Sequence, residues 1–509
     1  MDLYSTSSIL LFLQLIIGLF NVHSIFAASH ASNESVENLV MLISYDGFRH
    51  DYFQKVEIPH MDFLRSNGVV VKRMKPCFVT FTFPNHHCMI TGLYAESHGM
   101  IANTMLNRTE DEIVDLWESS IEKRERMATR NPNIIPLWVT NEERGRASGV
   151  SMWPGEVFHY GENKTRATYF IEYNKSLDWH KSVDTALSWF SHRENPANFV
   201  ILYVDEPDHT GHTYGPDSPQ VLETIQKLDN LTGYMIQQMK NLGLFDRMNM
   251  IFVSDHGMAT VNASNIIPLD EIAPKNDYRF ASSSPTLLIY PKLGKESEVY
   301  EKFLNGSSKW KYRVMKKEEM PERWHYRNVE EMSPFLIMAP KGYAFSESLD
   351  WWGKLKKSET RGMHGWDNEM DDMGVQMFAF GPAFKKGFHL DETVENVDVY
   401  PLLAHLLHLT PHSHNGSFTR ISRLLDGFND SSSTSSIAVI LILLVVIPSI
   451  IGIIVIAVRW FRKRHTARHS PLATSAGPGE EDDRRRNDHE DGEERGQIYR
   501  LSGPDENVA

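Results

Sequence analysis

Four short runs of consecutive apolar residues stand out along the chain: NLVMLIS (38–44), ANFVILYV (197–204), NMIFVS (249–254) and VQMFAF (375–380). They lack the in–out alternation of a strand with one wet face, so they predict buried strands of a mostly parallel sheet. Longer segments between them carry helical spacing. In 219–239 (PQVLETIQKLDNLTGYMIQQM), Val221, Ile225, Leu228 and Met235 share one face of a helix. Strands alternating with helices predict an α/β domain, its central sheet flanked by helices, over residues 36–425 or so. No internal repeat interrupts it.

Two further apolar runs lie at the ends. Residues 9–20 (ILLFLQLIIGLF) have the length of a signal-peptide core, and small residues at Ser24, Ala27, Ala28 and Ala31 offer cleavage points, so 1–28 reads as a signal peptide. Residues 437–458 carry no charge and would span about 33 Å as a helix, enough to cross a bilayer. Arg459, Arg462, Lys463 and Arg464 come directly after, which by the positive-inside rule puts the C-terminus in the cytosol. The expected plan is a signal peptide, an exterior domain with a short stalk (29–430), one transmembrane helix (437–458) and a disordered tail (459–509). The tail is rich in Gly, Pro, Asp, Glu and Arg and poor in large apolar residues.

The sequons agree with this plan. Asn33, Asn107, Asn163, Asn174, Asn230, Asn262, Asn305, Asn415 and Asn429 each open an N-x-S/T triplet, all between the two terminal apolar runs, so N-linked glycans are expected. A net charge of -14 argues against a nucleic-acid partner, which needs a basic surface. With Cys77 and Cys88 the only cysteines, the domain is not a disulfide scaffold. A bridge between them would have to meet demanding geometry, and the reading is against it.

The residues just past the strands carry the chemistry. The first run leads into Asp46–Gly47, the second into Glu206–Pro207–Asp208 and on to His212, the third into Asp255–His256–Gly257. An open parallel sheet binds ligands beyond the carboxyl ends of its strands. Any one of these motifs alone reads as a turn, but together they deliver carboxylates and imidazoles to one edge. His364, in the glycine-flanked RGMHGWDNEMDDM (361–373), joins them. Asp46, Asp208, His212, Asp255, His256 and His364 form a mixed oxygen and nitrogen donor set, which suits two zinc ions better than magnesium. Two such cations clamp an in-line displacement at phosphorus, with water or a side-chain hydroxyl as nucleophile. VTFTFPNHH (79–87) offers Thr82, either in a strand running into a turn or as a hydroxyl at the start of a helix near Pro84.

LISYDGFR, FTFPNHHCMITGLYAESHG, MWPG, YVDEPDHTGHTYGP, SDHGM and MHGWDN, in this order, resemble the ecto-nucleotide pyrophosphatase/phosphodiesterase family of the alkaline phosphatase superfamily. The chain is most similar to its short, membrane-anchored members, four and five. The resemblance implies an alkaline-phosphatase-like fold and Thr82 as nucleophile. It assigns Asp208, His212 and His364 to one zinc, and Asp46, Thr82, Asp255 and His256 to the other. Asn103 would hold phosphoryl oxygens; Trp153 and Tyr173 would line a nucleobase slot that Tyr203 also walls.

Two positions depart from the family pattern. Phe81 stands where a lysine is usual, and Thr104 where some members have a cation. Both changes remove positive charge, which disfavours triphosphates relative to dinucleoside polyphosphates or NAD-like dinucleotides. The expected function is a cell-surface, two-zinc phosphodiesterase and pyrophosphatase acting on small nucleotides through a covalent threonine intermediate. Hydrolysis of choline-lipid diesters and a catalytically silent adhesion or receptor role are the alternatives.

Overall fold

The apolar runs become strands of one sheet because neighbours cover both of its faces. The computed structural model describes residues 39–346, 359–428 and 431–466. The expected signal peptide and the tail beyond residue 466 lie outside the described residues. In chain order the sheet strands are β1 (Leu39–Tyr45), β2 (Val69–Lys75), β3 (Ala147–Ser151), β4 (Tyr169–Ile171), β5 (Ala197–Val204), β6 (Met248–Val253), β7 (Val375–Phe380), β8 (Phe388–Leu390) and β9 (Val394–Glu395). Their spatial order is β8–β2–β7–β6–β1–β5–β3–β4, with β9 also paired to β2. β6, β1, β5, β3 and β4 run parallel. β7 alone is reversed, antiparallel to both β6 and β2. The sheet is therefore mixed, mostly parallel and flanked by helices.

β1 shows why these runs are continuously apolar. Val40 and Leu42 enter the core on one face, while Met41 and Ile43 enter a second core on the other. The helix α3 (Pro219–Asn241) covers the second face. Ser218 caps it by accepting the Val221 N–H, Pro219 occupies its first turn, and Val221, Ile225, Leu228 and Met235 are buried there. Each such side chain contributes about 1.5–3 kcal/mol on burial, so a charge at Ile225 would lift the helix from the sheet.

Two shorter helices lie at the sheet edge, α1 (Thr82–Thr91) and α2 (Asp208–Tyr214). A hairpin of Thr104–Asn107 and Glu112–Asp115 comes after α1. A separate antiparallel sheet, formed by Tyr278–Ser283, Thr286–Pro291, Phe335–Met338 and Arg313–Lys316, has its own apolar core. Cys77 and Cys88 are buried and free, and the Cys77 thiol donates to Asn396 Oδ1 at 2.7 Å.

The chain divides into two units, 1–430 and 431–509. In the second, Ser431–Thr466 is one helix with Pro448 inside it. Its segment Leu443–Arg464 is long and apolar enough to cross a membrane.

Candidate active site

Three adjacent parallel strands, β6, β1 and β5, end at the same edge, and the chain leaving each one carries acidic residues. Asp46 directly follows β1, Asp255 and His256 follow β6 after Ser254, and Asp208 opens α2 beyond β5. His364 reaches this edge because β7 is reversed, so the chain entering β7 arrives where its neighbours leave. Asp208 and His212 share one face of α2, one turn apart. Gly47 is required beside Asp208. It has φ +68°, and a Cβ there would lie 2.9 Å from Asp208 Cβ.

The side chains gather into two groups whose donor atoms lie within 4.8 Å of one another: Asp208, His212 and His364, and Asp46, Asp255 and His256. In the first, His212 Nε2 is 3.3 Å from Asp208 Oδ2, and His364 Nε2 is 3.6 Å from Asp208 Oδ1. In the second, His256 Nε2 is 3.0 Å from Asp255 Oδ2 and 3.4 Å from Asp46 Oδ1. Thr82 Oγ1 joins the second group, 3.3 Å from His256 Nε2.

The donor set fits cations. His212 Nδ1 sits 2.8 Å from the Gly362 carbonyl, His364 Nδ1 2.8 Å from that of Thr80, and His256 Nδ1 3.1 Å from that of Gly257. A ring nitrogen facing a carbonyl must carry the proton, which leaves each Nε2 a bare lone pair in the neutral ring. His212 Nε2 and His364 Nε2 nevertheless face each other at 3.1 Å. Two bare nitrogens repel unless a proton or a metal ion lies between them. The buried oxygens Asp46 Oδ1, Asp208 Oδ1 and Asp255 Oδ2 likewise accept no hydrogen bond.

Electrostatics shows the same strain. Burial, then the charges of Asp255 and Asp208, push Asp46 well above the usual carboxylate range. Burial pushes Asp208 and Asp255 the same way, but the adjacent histidines outweigh it and hold both below that range. Burial, with His256 beside it, lowers His364 to about 3, so its ring stays neutral.

Behind these groups lies a supporting layer. The Tyr203 hydroxyl donates to Asp46 Oδ2, and the Gly47 N–H donates to Asp255 Oδ1 at 3.1 Å. His86 lies between Thr82 and β1: Nδ1 donates to the Thr82 carbonyl at 2.9 Å, and Nε2 accepts from Ser44 Oγ at 3.0 Å.

The helix α1 begins at Thr82 itself, two residues before Pro84, with Phe81 extended at its N-cap. Asn85 fastens the preceding loop by donating to the Val79 and Phe81 carbonyls and accepting from the Cys77 N–H. Asn103 Oδ1 accepts the Phe83 N–H at 3.0 Å, which leaves its NH2 group turned away from that bond as a spare donor. Phe81 is buried edge-on against His364, with ring centroids 5.5 Å apart.

The expected aromatic slot is arranged differently. Trp153 is fully buried, edge-on to His86 at 4.5 Å, and Tyr203 is buried on Asp46. Neither presents a ring face to solvent, because both pack under the site rather than beside it. Tyr173 is half-buried, with its hydroxyl on Asp205 Oδ2 at 2.9 Å. Phe83 and Trp117, which sequence reasoning passes over, complete the aromatic group near Thr82. The adjacency of Phe83 to Thr82 is a signal for the first; no local pattern marks Trp117.

Comparison with known proteins bears on this geometry. The family profile described as type I phosphodiesterase / nucleotide pyrophosphatase matches residues 40–367. Human ectonucleotide pyrophosphatase/phosphodiesterase family member 5 is 38% identical over 391 residues, covering 76% of this chain and 78% of that protein. Human bis(5'-adenosyl)-triphosphatase is 35% identical over 396 residues, or 77% of this chain and 83% of that one. The solved structure of human member 5 matches with a TM-score of 0.71 and 36% identity, over 76% of this chain and all of that one. A structure of murine member 5, an inactive threonine-to-alanine form in complex with AMP, matches with a TM-score of 0.69 and 36% identity over the same shares.

Proposed function

Because this chain belongs to the type I phosphodiesterase / nucleotide pyrophosphatase family, and so is a hydrolase of that class, we propose that it is a cell-surface, two-zinc enzyme that cleaves small extracellular nucleotides through Thr82. One observation carries the reading. Three histidines commit Nδ1 to backbone carbonyls and turn bare Nε2 atoms toward carboxylates, three of whose oxygens accept no hydrogen bond, with the Thr82 hydroxyl among them.

Asp208, His212 and His364 would hold one zinc, and Asp46, Asp255, His256 and Thr82 the other. Bound there, the pair supplies Lewis acidity that lowers the hydroxyl pKa and neutralises phosphoryl oxygens. Thr82 Oγ1 attacks phosphorus in line; the new Oγ–P bond forms as the bond to the leaving group breaks, and water later releases the nucleoside monophosphate. The positive end of α1 faces the phosphoryl group, and the spare NH2 of Asn103 donates to one of its oxygens. Buried His86 and Tyr203 keep Thr82 and Asp46 in place. The inactive threonine-to-alanine form of the murine relative, with AMP, supports Thr82 in this role.

As to substrate, the apolar Phe81 packs against His364 and Thr104 gives its hydroxyl to the Ser282 carbonyl at 3.1 Å, so neither of these two positions brings a cation to the nucleophile. Dinucleoside polyphosphates and NAD-like dinucleotides then outrank triphosphates, in keeping with a relative that is a bis(5'-adenosyl)-triphosphatase. Residues 1–28 would direct secretion, 29–430 form the glycosylated exterior catalytic domain, 437–458 anchor it, and 459–509 remain in the cytosol. The test is a substrate panel on the zinc-loaded full-length protein, with products identified by mass. Monophosphate release from dinucleotides supports the reading; faster turnover of lysophospholipids, or none of any diester, contradicts it.

A further inference from the structure

Outside the candidate active site, a cationic groove runs between the hairpin of Thr104–Asn107 and Glu112–Asp115 and the separate antiparallel sheet. A cavity of about 700 Å³ lies there, with Arg108, Arg279 and Lys292 on its walls. A neighbouring cavity of about 530 Å³ also borders Arg108 and Pro291, and adds Lys316 and Lys317. The shared walls make the two one groove.

Five cations thus converge in a chain whose net charge is -14. Asp111, Glu296 and Glu318 border the groove as well. Of the five cations, Arg279 alone is ion-paired among the described residues, its Nη2 2.7 Å from Asp111 Oδ2. Arg108 donates to the Met332 carbonyl at 2.8 Å and lies 5.8 Å over the Tyr290 ring, while Lys316 Nζ lies 4.6 Å over that of Tyr300.

The sheet spaces these charges. Its strands lie in the order Tyr278–Ser283, Thr286–Pro291, Phe335–Met338 and Arg313–Lys316. Arg279 is level with Tyr290, and Lys316 with Phe335, which is level with Ile289. Arg279 and Lys316 therefore stand at one end of the sheet, three strand spacings or about 14 Å apart. No single phosphate or carboxylate reaches across that distance, whereas a polymer with anionic groups along its length does. A peptide partner is held by buried apolar anchors. The rings in this groove, Tyr290 and Tyr300, are already covered by Arg108 and Lys316.

We propose that this groove binds a sulfated polysaccharide, whose sulfates pair with Arg108, Lys292, Lys316 and Lys317. The expected exterior position of 29–430 gives such a polymer access to it.

The test measures binding of a size-defined heparin oligosaccharide to the zinc-loaded full-length protein by calorimetry, at about 0.15 M salt. The wild type binds it, less tightly as salt rises, and binds the desulfated oligosaccharide on the order of tenfold more weakly. Lys292→Gln, Lys316→Gln and Lys317→Gln together weaken heparin binding on the order of tenfold, and Lys292→Gln alone gives a smaller loss. The same charge loss at Lys181, Lys227 and Lys240, on helices that do not border the groove, changes binding by less than about threefold. Turnover of a nitrophenyl nucleotide diester stays at the wild-type level in all of these variants, so a loss of binding reports the groove and not the fold. A wild type that does not bind, equal losses in the two triple variants, or equal binding of the desulfated chain overturns the proposal. Tighter binding of poly-glutamate than of heparin also overturns it, in favour of an acidic protein partner.

Discussion

The imidazole rings of His256 and His364 lie face to face, 3.5 Å between centroids and 9° from parallel. Each belongs to a different donor group, so this stack is the seam between the two candidate cation positions. It also limits protonation, since two imidazolium rings this close would repel strongly. The seam forms because β7 is reversed. A parallel β7 would carry the His364 loop to the opposite edge of the sheet.

Metal content should follow the two groups independently. The full-length protein is expected to hold two zinc ions per chain, and His364→Ala to hold one, as read by elemental mass spectrometry. Chelation should abolish diester turnover, and zinc should restore it. A wild type with one ion at saturation would contradict the pairing.

Thr82→Ala is expected to lose turnover by about 10³-fold or more while keeping its thermal transition and its metals. Circular dichroism and metal analysis separate this outcome from misfolding. A variant with most of its activity would remove Thr82 from the reaction.

Tyr203→Phe removes the hydroxyl that donates to Asp46 Oδ2. Zinc binding at the Asp46 position should weaken by about 10- to 100-fold. Competition with a calibrated chelator measures it, and unaltered affinity would make Tyr203 a packing residue only.

Gly47→Ala places a Cβ 2.9 Å from Asp208 Cβ at a φ of +68°. The cost is about 1–3 kcal/mol in stability, and Asp208 must move. Both a lower denaturant midpoint and reduced zinc occupancy at the Asp208 group are expected.

Glu156 gives a pH dependence. It is buried, accepts the Tyr173 N–H at 3.0 Å, and burial raises its carboxyl from 4.5 to about 7. Between those values the native state holds a proton that the unfolded state has lost. This group therefore costs increasing stability as pH rises from 4.5 to about 7. Glu156→Gln removes that slope, so from about pH 5 to about pH 8 its stability should gain on wild type by up to about 3 kcal/mol. Parallel curves for the two proteins would place the Glu156 carboxyl near its ordinary range.

Much of the site is legible in the sequence because its residues sit at fixed offsets from strands. Asp46, Asp208, Asp255 and His256 come after apolar runs that could hardly be anything but buried strands. The reversal of β7 is not legible, since VQMFAF is equally apolar in either direction. Nor can sequence separate walls from packing among the aromatics. Trp153 and Tyr203 read as slot walls, yet they lie beneath the site, whereas Trp117, two residues past a hairpin whose pairing is a tertiary matter, packs on Phe83 beside Thr82. Asn103 emerges only through the family pattern, because one asparagine in a loop carries no local signal.

The central claim is a displacement in two steps, with phosphorus held covalently on Thr82 between them. Its most direct test is the stereochemical course at phosphorus, followed with a chiral nucleotide phosphorothioate diester in isotopically labelled water. Two in-line displacements predict retention of configuration. Inversion would mean that water attacks the substrate directly, and Thr82 would then have no covalent role.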